Sequence, residues 1–65
     1  MQIFVNGDQH DVKLRTLALA LEELGYGGKK IATALNGRFV AAAARLVTDL
    51  ADGDRVEIVA PMQGG

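Results

Sequence analysis

The chain has no cysteine and no tryptophan, and only one proline and one histidine. Without cysteine there is no disulfide scaffold, on which many secreted domains of this size depend, and no thiolate zinc site. The lone histidine, His10, has no second imidazole or thiolate with which to share a metal ion. Seven Lys/Arg against eight Asp/Glu leave a formal net charge of −1. The basic residues are scattered, with Lys29-Lys30 the one adjacent pair, so the concentrated basic stripe of a nucleic-acid binder is missing. No apolar run approaches the roughly 20 residues of a membrane span. The opening Met1-Gln2-Ile3-Phe4-Val5-Asn6-Gly7 has neither the basic n-region nor the apolar core of a signal peptide. The expectation is a cytoplasmic protein with no metal, no cofactor, no nucleic-acid partner and no membrane.

What is present fits a single small domain. The chain has 65 residues, of which 49% are hydrophobic, enough for one thin core. A domain of this size buries only about 60% of its unfolded surface. That leaves little room for an enclosed substrate pocket, typically about 300–1,000 Å³, and argues against an enzyme with its own buried active site.

Hydrophobic periodicity gives the order of elements. Ile3 and Val5 alternate with Gln2, Phe4 and Asn6, and Asn6-Gly7-Asp8 is turn chemistry. A second run, Gln9 to Leu14, places Val12 and Leu14 on one face, so the N-terminus reads as a hairpin. Thr16 is a good N-cap for a helix over Leu17 to Leu24, in which Leu17, Ala20, Leu21 and Leu24 form an apolar stripe and Gly25 is the stop. Tyr26 to Lys30 reads as a loop. Ile31 to Leu35 and Arg38 to Val40 flank Asn36-Gly37, a strong hairpin signal. Ala41 to Leu46 permits a turn or short helix, Asp52-Gly53-Asp54 is a turn, and Arg55 to Ala60 alternates with Val56 and Ile58 inward. Pro61 ends that strand or confines it to an edge. The expected class is α+β: a mixed sheet of four to five strands with one helix packed across one face. The expected division is a domain over residues 1–60 and a C-terminal tail over residues 61–65.

Chemistry-bearing residues are few. Gly25-Tyr26-Gly27-Gly28-Lys29-Lys30 is Gly-rich, but it follows a helix and precedes a strand, the reverse of a phosphate loop. Glu22-Glu23 and the Asp52/Asp54 pair converge on no nucleophile or base at a recognisable spacing, so no catalytic residue is expected. The terminal Gly64-Gly65 stands apart, since glycine at the end of a chain contributes nothing to folding. Two side-chain-free residues can thread a narrow channel, and their carboxylate is a nucleophile at the tip of an arm. Five extended residues at about 3.3–3.6 Å each reach roughly 17 Å, enough to enter a partner's active site. On the body, alternation sends Phe4 and Val59 to the sheet face away from the helix. Ala34 is expected on the same face and Phe39 at its edge, and these four, with Met62, form the candidate partner surface.

The opening Met1-Gln2-Ile3-Phe4-Val5-Asn6-Gly7, the segment Ile31-Ala32-Thr33-Ala34-Leu35-Asn36-Gly37, the segment Asp52-Gly53-Asp54-Arg55-Val56-Glu57-Ile58-Val59 and the end Gly64-Gly65 together resemble the ThiS family. These are small sulfur carriers of thiamine biosynthesis with the ubiquitin-like β-grasp fold, and the resemblance spans essentially the whole chain. It implies that a ubiquitin-activating-type adenylating enzyme joins the Gly65 carboxylate to AMP. A sulfur donor protein then converts the adenylate to a thiocarboxylate, and thiazole synthase takes the sulfur. The carrier itself catalyses nothing and holds no cofactor. Two departures stand out. Relatives commonly carry a Pro-Arg pair and a Trp or similar residue after the fourth strand, where this chain has Ala41-Ala42-Ala43-Ala44-Arg45-Leu46, and Thr33 stands where an aliphatic residue is usual, which implies a slightly weaker core. The alternatives are a carrier for molybdopterin or another sulfur pathway, and a β-grasp interaction module whose Gly-Gly is incidental.

Overall fold

Each Asn-Gly pair closes a two-residue hairpin in the computed structural model, which describes residues 1–61. The first joins β1 (Gln2–Val5) to β2 (Asp8–Asp11), and the second joins β3 (Ala32–Leu35) to β4 (Arg38–Val40). Asn6 and Gly7 have φ of 51° and 87°, and Asn36 and Gly37 have φ of 50° and 84°. Two successive positive φ values are what a type I′ turn needs to match the twist of its strands. Between the hairpins lies α1 (Leu17–Glu23), and after them come a 3-10 helix (Ala42–Val47) and β5 (Arg55–Val59). The sheet order is β2-β1-β5-β3-β4, with β1 and β5 parallel and the other pairs antiparallel. This is the β-grasp arrangement expected, with five strands. β5 is central, so Pro61 does not mark an edge strand; it lies past the strand's end at Val59.

The core lies between the sheet and α1. Ile3, Val5, Val56 and Ile58 face inward, against Leu17, Ala20 and Leu21 of the helix. Thr16 caps α1 by accepting the Leu19 N–H on Oγ1 at 3.3 Å, and Gly25 follows the helix at φ 93°. Seven residues are too few for a helix to stand alone, so α1 exists because its stripe is buried, each large side chain contributing about 1.5–3 kcal/mol.

One expectation needs correcting. Val12 and Leu14 do not share a strand face, because β2 stops at Asp11 with all four of its residues exposed. Val12, whose backbone is still bonded to that of Met1, is fully buried, while Leu14 points out and is 44% exposed. The Glu23 carboxylate causes the turn-off: it accepts the N–H groups of Lys13 at 3.0 Å and Leu14 at 3.2 Å, which pulls this segment out of the ladder towards the helix. Leu50, which carries no periodic signal, completes the core.

The two turn asparagines do more than turn. In a continued parallel ladder the Ile58 N–H would meet the backbone carbonyl of Asn6. Asn6 is left-handed, and Ile58 N–H instead donates to Asn6 Oδ1 at 2.8 Å, while Asn6 Nδ2 donates to the Ile58 carbonyl at 3.1 Å. At the other end of β5 the same substitution occurs. Asn36 N–H donates to the Arg55 carbonyl at 2.7 Å, but Arg55 N–H returns to Asn36 Oδ1 at 2.9 Å.

Candidate functional site

The sheet face away from α1 carries alternate residues of every strand. Phe4 of β1 stands beside Arg55 of β5. Ala32 pairs with Val59, and Ala34 pairs with both Glu57 and Phe39. Four of the residues expected at a partner surface, Phe4, Ala34, Phe39 and Val59, therefore occupy one face. Phe39 is 74% exposed and Val59 66%, so neither belongs to the core.

The face is divided. Ala32, Ala34, Phe39 and Val59 border an open depression of about 200 Å³ that reaches Glu57. Phe4 borders a second one of about 550 Å³, with Asn6, Arg55 and Glu57. Arg55 and Glu57 of the central strand thus separate Phe4 from the other three. The small side chains Ala32 and Ala34 leave the backbone approachable, with the exposed Phe39 ring beside them. Met62, Gly64 and Gly65 lie outside the described residues.

The remaining candidates have structural surroundings. His10 is exposed on the edge strand β2. Among the described residues no group of three His, Asp or Glu is placed to hold a metal, and no helix is long and apolar enough to cross a membrane. Glu23 holds the N–H groups of Lys13 and Leu14. Asp52 Oδ1 accepts the Gln2 N–H at 2.7 Å, and Asp54 accepts from Ala51 N–H and from Asn36 Nδ2. These acids tie turns together and do not converge. The Gly25 to Lys30 stretch is a turn, with Gly28 at φ 77° and the Lys29 ammonium 5.9 Å from the centroid of the Tyr26 ring, and it opens no helix.

Arg45 is the residue whose placement local patterning misses. Its Nε donates to Thr33 Oγ1 at 3.0 Å and its Nη2 to the Ile31 carbonyl at 2.7 Å, which fastens the 3-10 helix to the start of β3. No periodicity marks it, because the contact depends on a hydroxyl twelve residues away.

A mixed sheet of five strands grasping one short helix defines a ubiquitin-like β-grasp domain. Within that class the chain belongs to the ThiS family, whose model matches residues 3–65. It is 38% identical over 63 residues to the sulfur carrier protein ThiS of Thermus thermophilus, a match covering 97% of this chain and 98% of that protein. It is also similar to the crystal structure of the thiamine biosynthesis protein (ThiS) from Geobacter metallireducens, with a TM-score of 0.81 and 29% identity over the whole of both chains. The solution structure of a thiamine biosynthesis protein from the same organism gives 0.78 and 29%, over all of this chain and 88% of that one.

Proposed function

We propose that this chain is a sulfur carrier of thiamine biosynthesis whose working group is the carboxylate of Gly65. An adenylating enzyme of the ubiquitin-activating type joins that carboxylate to the α-phosphate of ATP and releases pyrophosphate. Sulfide-level sulfur released by a sulfur donor protein then displaces AMP, forming the C–S bond of a thiocarboxylate, the form from which thiazole synthase takes sulfur. The observation that carries this reading is the family match through residue 65, which includes both terminal glycines. The relative named as a sulfur carrier is matched over nearly its full length. The absence of cysteine suits the role, since no internal thiol competes for the activated acyl group.

In this reading the body is a handle. The outer sheet face, with Phe39, Val59 and Ala34 around one depression and Phe4 across Glu57, docks the adenylating enzyme, while residues 61–65 reach its active site. The catalytic groups and the ATP site belong to that enzyme. The test is incubation with ATP, the adenylating partner and a sulfur source, followed by intact-protein mass spectrometry. The expected product is heavier by the difference between sulfur and oxygen, with the change located at Gly65. If an adenylating partner shown to be active yields neither adenylate nor thiocarboxylate, the reading is wrong.

A further inference from the structure

We propose that Asn6 is a positioning residue for the reaction at Gly65, because its carboxamide fixes the last residues of β5 and hence the point from which the chain departs towards its end. The inference rests on the proposed role of the Gly65 carboxylate.

The geometry is specific to this end of the strand. β1 and β5 share only two register positions, Phe4 with Arg55 and Val5 with Val56. Past Val56 no residue of β1 remains beside β5, yet the strand runs on to Val59. On its other edge β5 is paired with β3 as far as Ala32 and Val59. Ile58 turns both its N–H and its C=O towards the vacated side, and the Asn6 side chain takes both, at 2.8 and 3.1 Å. The carboxamide thus replaces one full rung of the ladder. Without it both polar groups of Ile58 lose their partner, and the end of the strand is tied on its β3 edge only.

The consequence falls on the arm. A reacting group at the end of a tether is delivered at an effective concentration set by the tether's length and point of attachment. With Ile58 held, the departure point is Val59. With Ile58 released, the end of β5 is held from the β3 edge alone, through the Ala32–Val59 pair, and the direction in which the chain leaves is less fixed. Ala34 on β3, Phe39 on β4 and Val59, still paired with Ala32, keep their places, so docking survives while delivery of the carboxylate to the active site suffers. A small misplacement of reacting atoms is costly to rate.

The experiment compares Asn6→Gly with Asn36→Gly in full-length protein. Both remove a left-handed asparagine that lends its carboxamide to β5, and glycine adopts the positive φ of either turn. Amide hydrogen exchange at Ile58 is expected to accelerate about tenfold in Asn6→Gly, and at Arg55 by about as much in Asn36→Gly. In adenylation by the partner enzyme, Asn6→Gly is expected to lower kcat about fivefold with KM for the carrier within about twofold, while Asn36→Gly leaves both near the wild-type values. Asn6→Asp keeps the acceptor for Ile58 N–H but turns an anionic oxygen towards the Ile58 carbonyl in place of the donor, so it serves if the glycine variant does not fold and is expected to show a fall in kcat at least as large. Equal kcat in Asn6 and Asn36 variants, or a rise in KM with kcat unchanged, overturns the inference. A wild-type protein that is not adenylated at all overturns the reading of Gly65 itself, and the two failures are told apart by that control.

Discussion

The Thr33 hydroxyl and the Arg45 guanidinium hold each other in place: Arg45 Nε donates to Thr33 Oγ1 at 3.0 Å, and that hydroxyl donates onward to the Val40 carbonyl at 2.9 Å. Thr33 is 2% exposed, a polar residue among core aliphatics. Thr33 and Arg45 lie in the two places where the sequence is expected to depart from the family it resembles. The two departures are thus in contact. A buried hydroxyl with both roles satisfied costs the core little, whereas an unpaired guanidinium Nε in its place would be costly.

A double-mutant cycle tests this coupling. Thr33→Val is expected to destabilise by about 1–2 kcal/mol, because Arg45 Nε then faces a methyl group. Arg45→Leu removes the other half, and the double variant is expected to be more stable than the sum of the singles predicts by about 1 kcal/mol. Urea unfolding of the four proteins measures it, and strict additivity would show that the contact carries no weight.

The core leaves little margin. Leu17→Ala deletes a core side chain that is 1% exposed, at the first residue of α1. The expected loss is about 2–5 kcal/mol, comparable to the whole stability of a domain this small. Circular dichroism at room temperature should show a protein largely unfolded or melting tens of degrees lower.

On the outer face the expectation is opposite. Phe39→Ser and Val59→Ser alter exposed side chains, so melting should shift by only a few degrees. Affinity for the adenylating enzyme should fall about tenfold for Phe39→Ser, as for an aromatic anchor. Titration calorimetry or a KM series distinguishes this from a surface that is merely apolar, for which affinity would not change.

Deleting Gly65 should abolish adenylation while the melting temperature stays within a few degrees of the parent. Binding to the adenylating enzyme is expected to persist, since Phe4, Ala34, Phe39 and Val59 are untouched. Retained adenylation of the shortened chain would place the reacting group elsewhere.

Most of this architecture is legible in the sequence because its signals are local. Asn36-Gly37 fixes the second hairpin, and Arg38 to Val40 is the strand expected beside it. Thr16, the Leu17/Ala20/Leu21 stripe and Gly25 bound the helix to within a residue. The illegible parts depend on partners far along the chain. Val12 and Leu14 look like one strand face until Glu23 captures the backbone between them. Arg45 looks like a solvent-facing charge until Thr33 is brought beside it. For the site, period-two alternation suffices to send Phe4 and Val59 outward. That Arg55 and Glu57 divide Phe4 from Phe39 requires the strand order, which no local pattern contains.

The middle strand of the sheet is the last one to be synthesised. β5 lies between the two hairpins, and the bonds that tie the start of the chain to this region span 50 residues at Gln2–Asp52 and 52 at Asn6–Ile58. Until β5 is made, the nascent chain consists of two separate hairpins and a seven-residue helix, none of which is stable alone. Folding therefore waits until β5 has been made and is all-or-none with respect to chain length. A product cut short before Arg55 has no sheet to offer, so it is exposed to proteolysis and cannot compete with intact molecules for a shared partner.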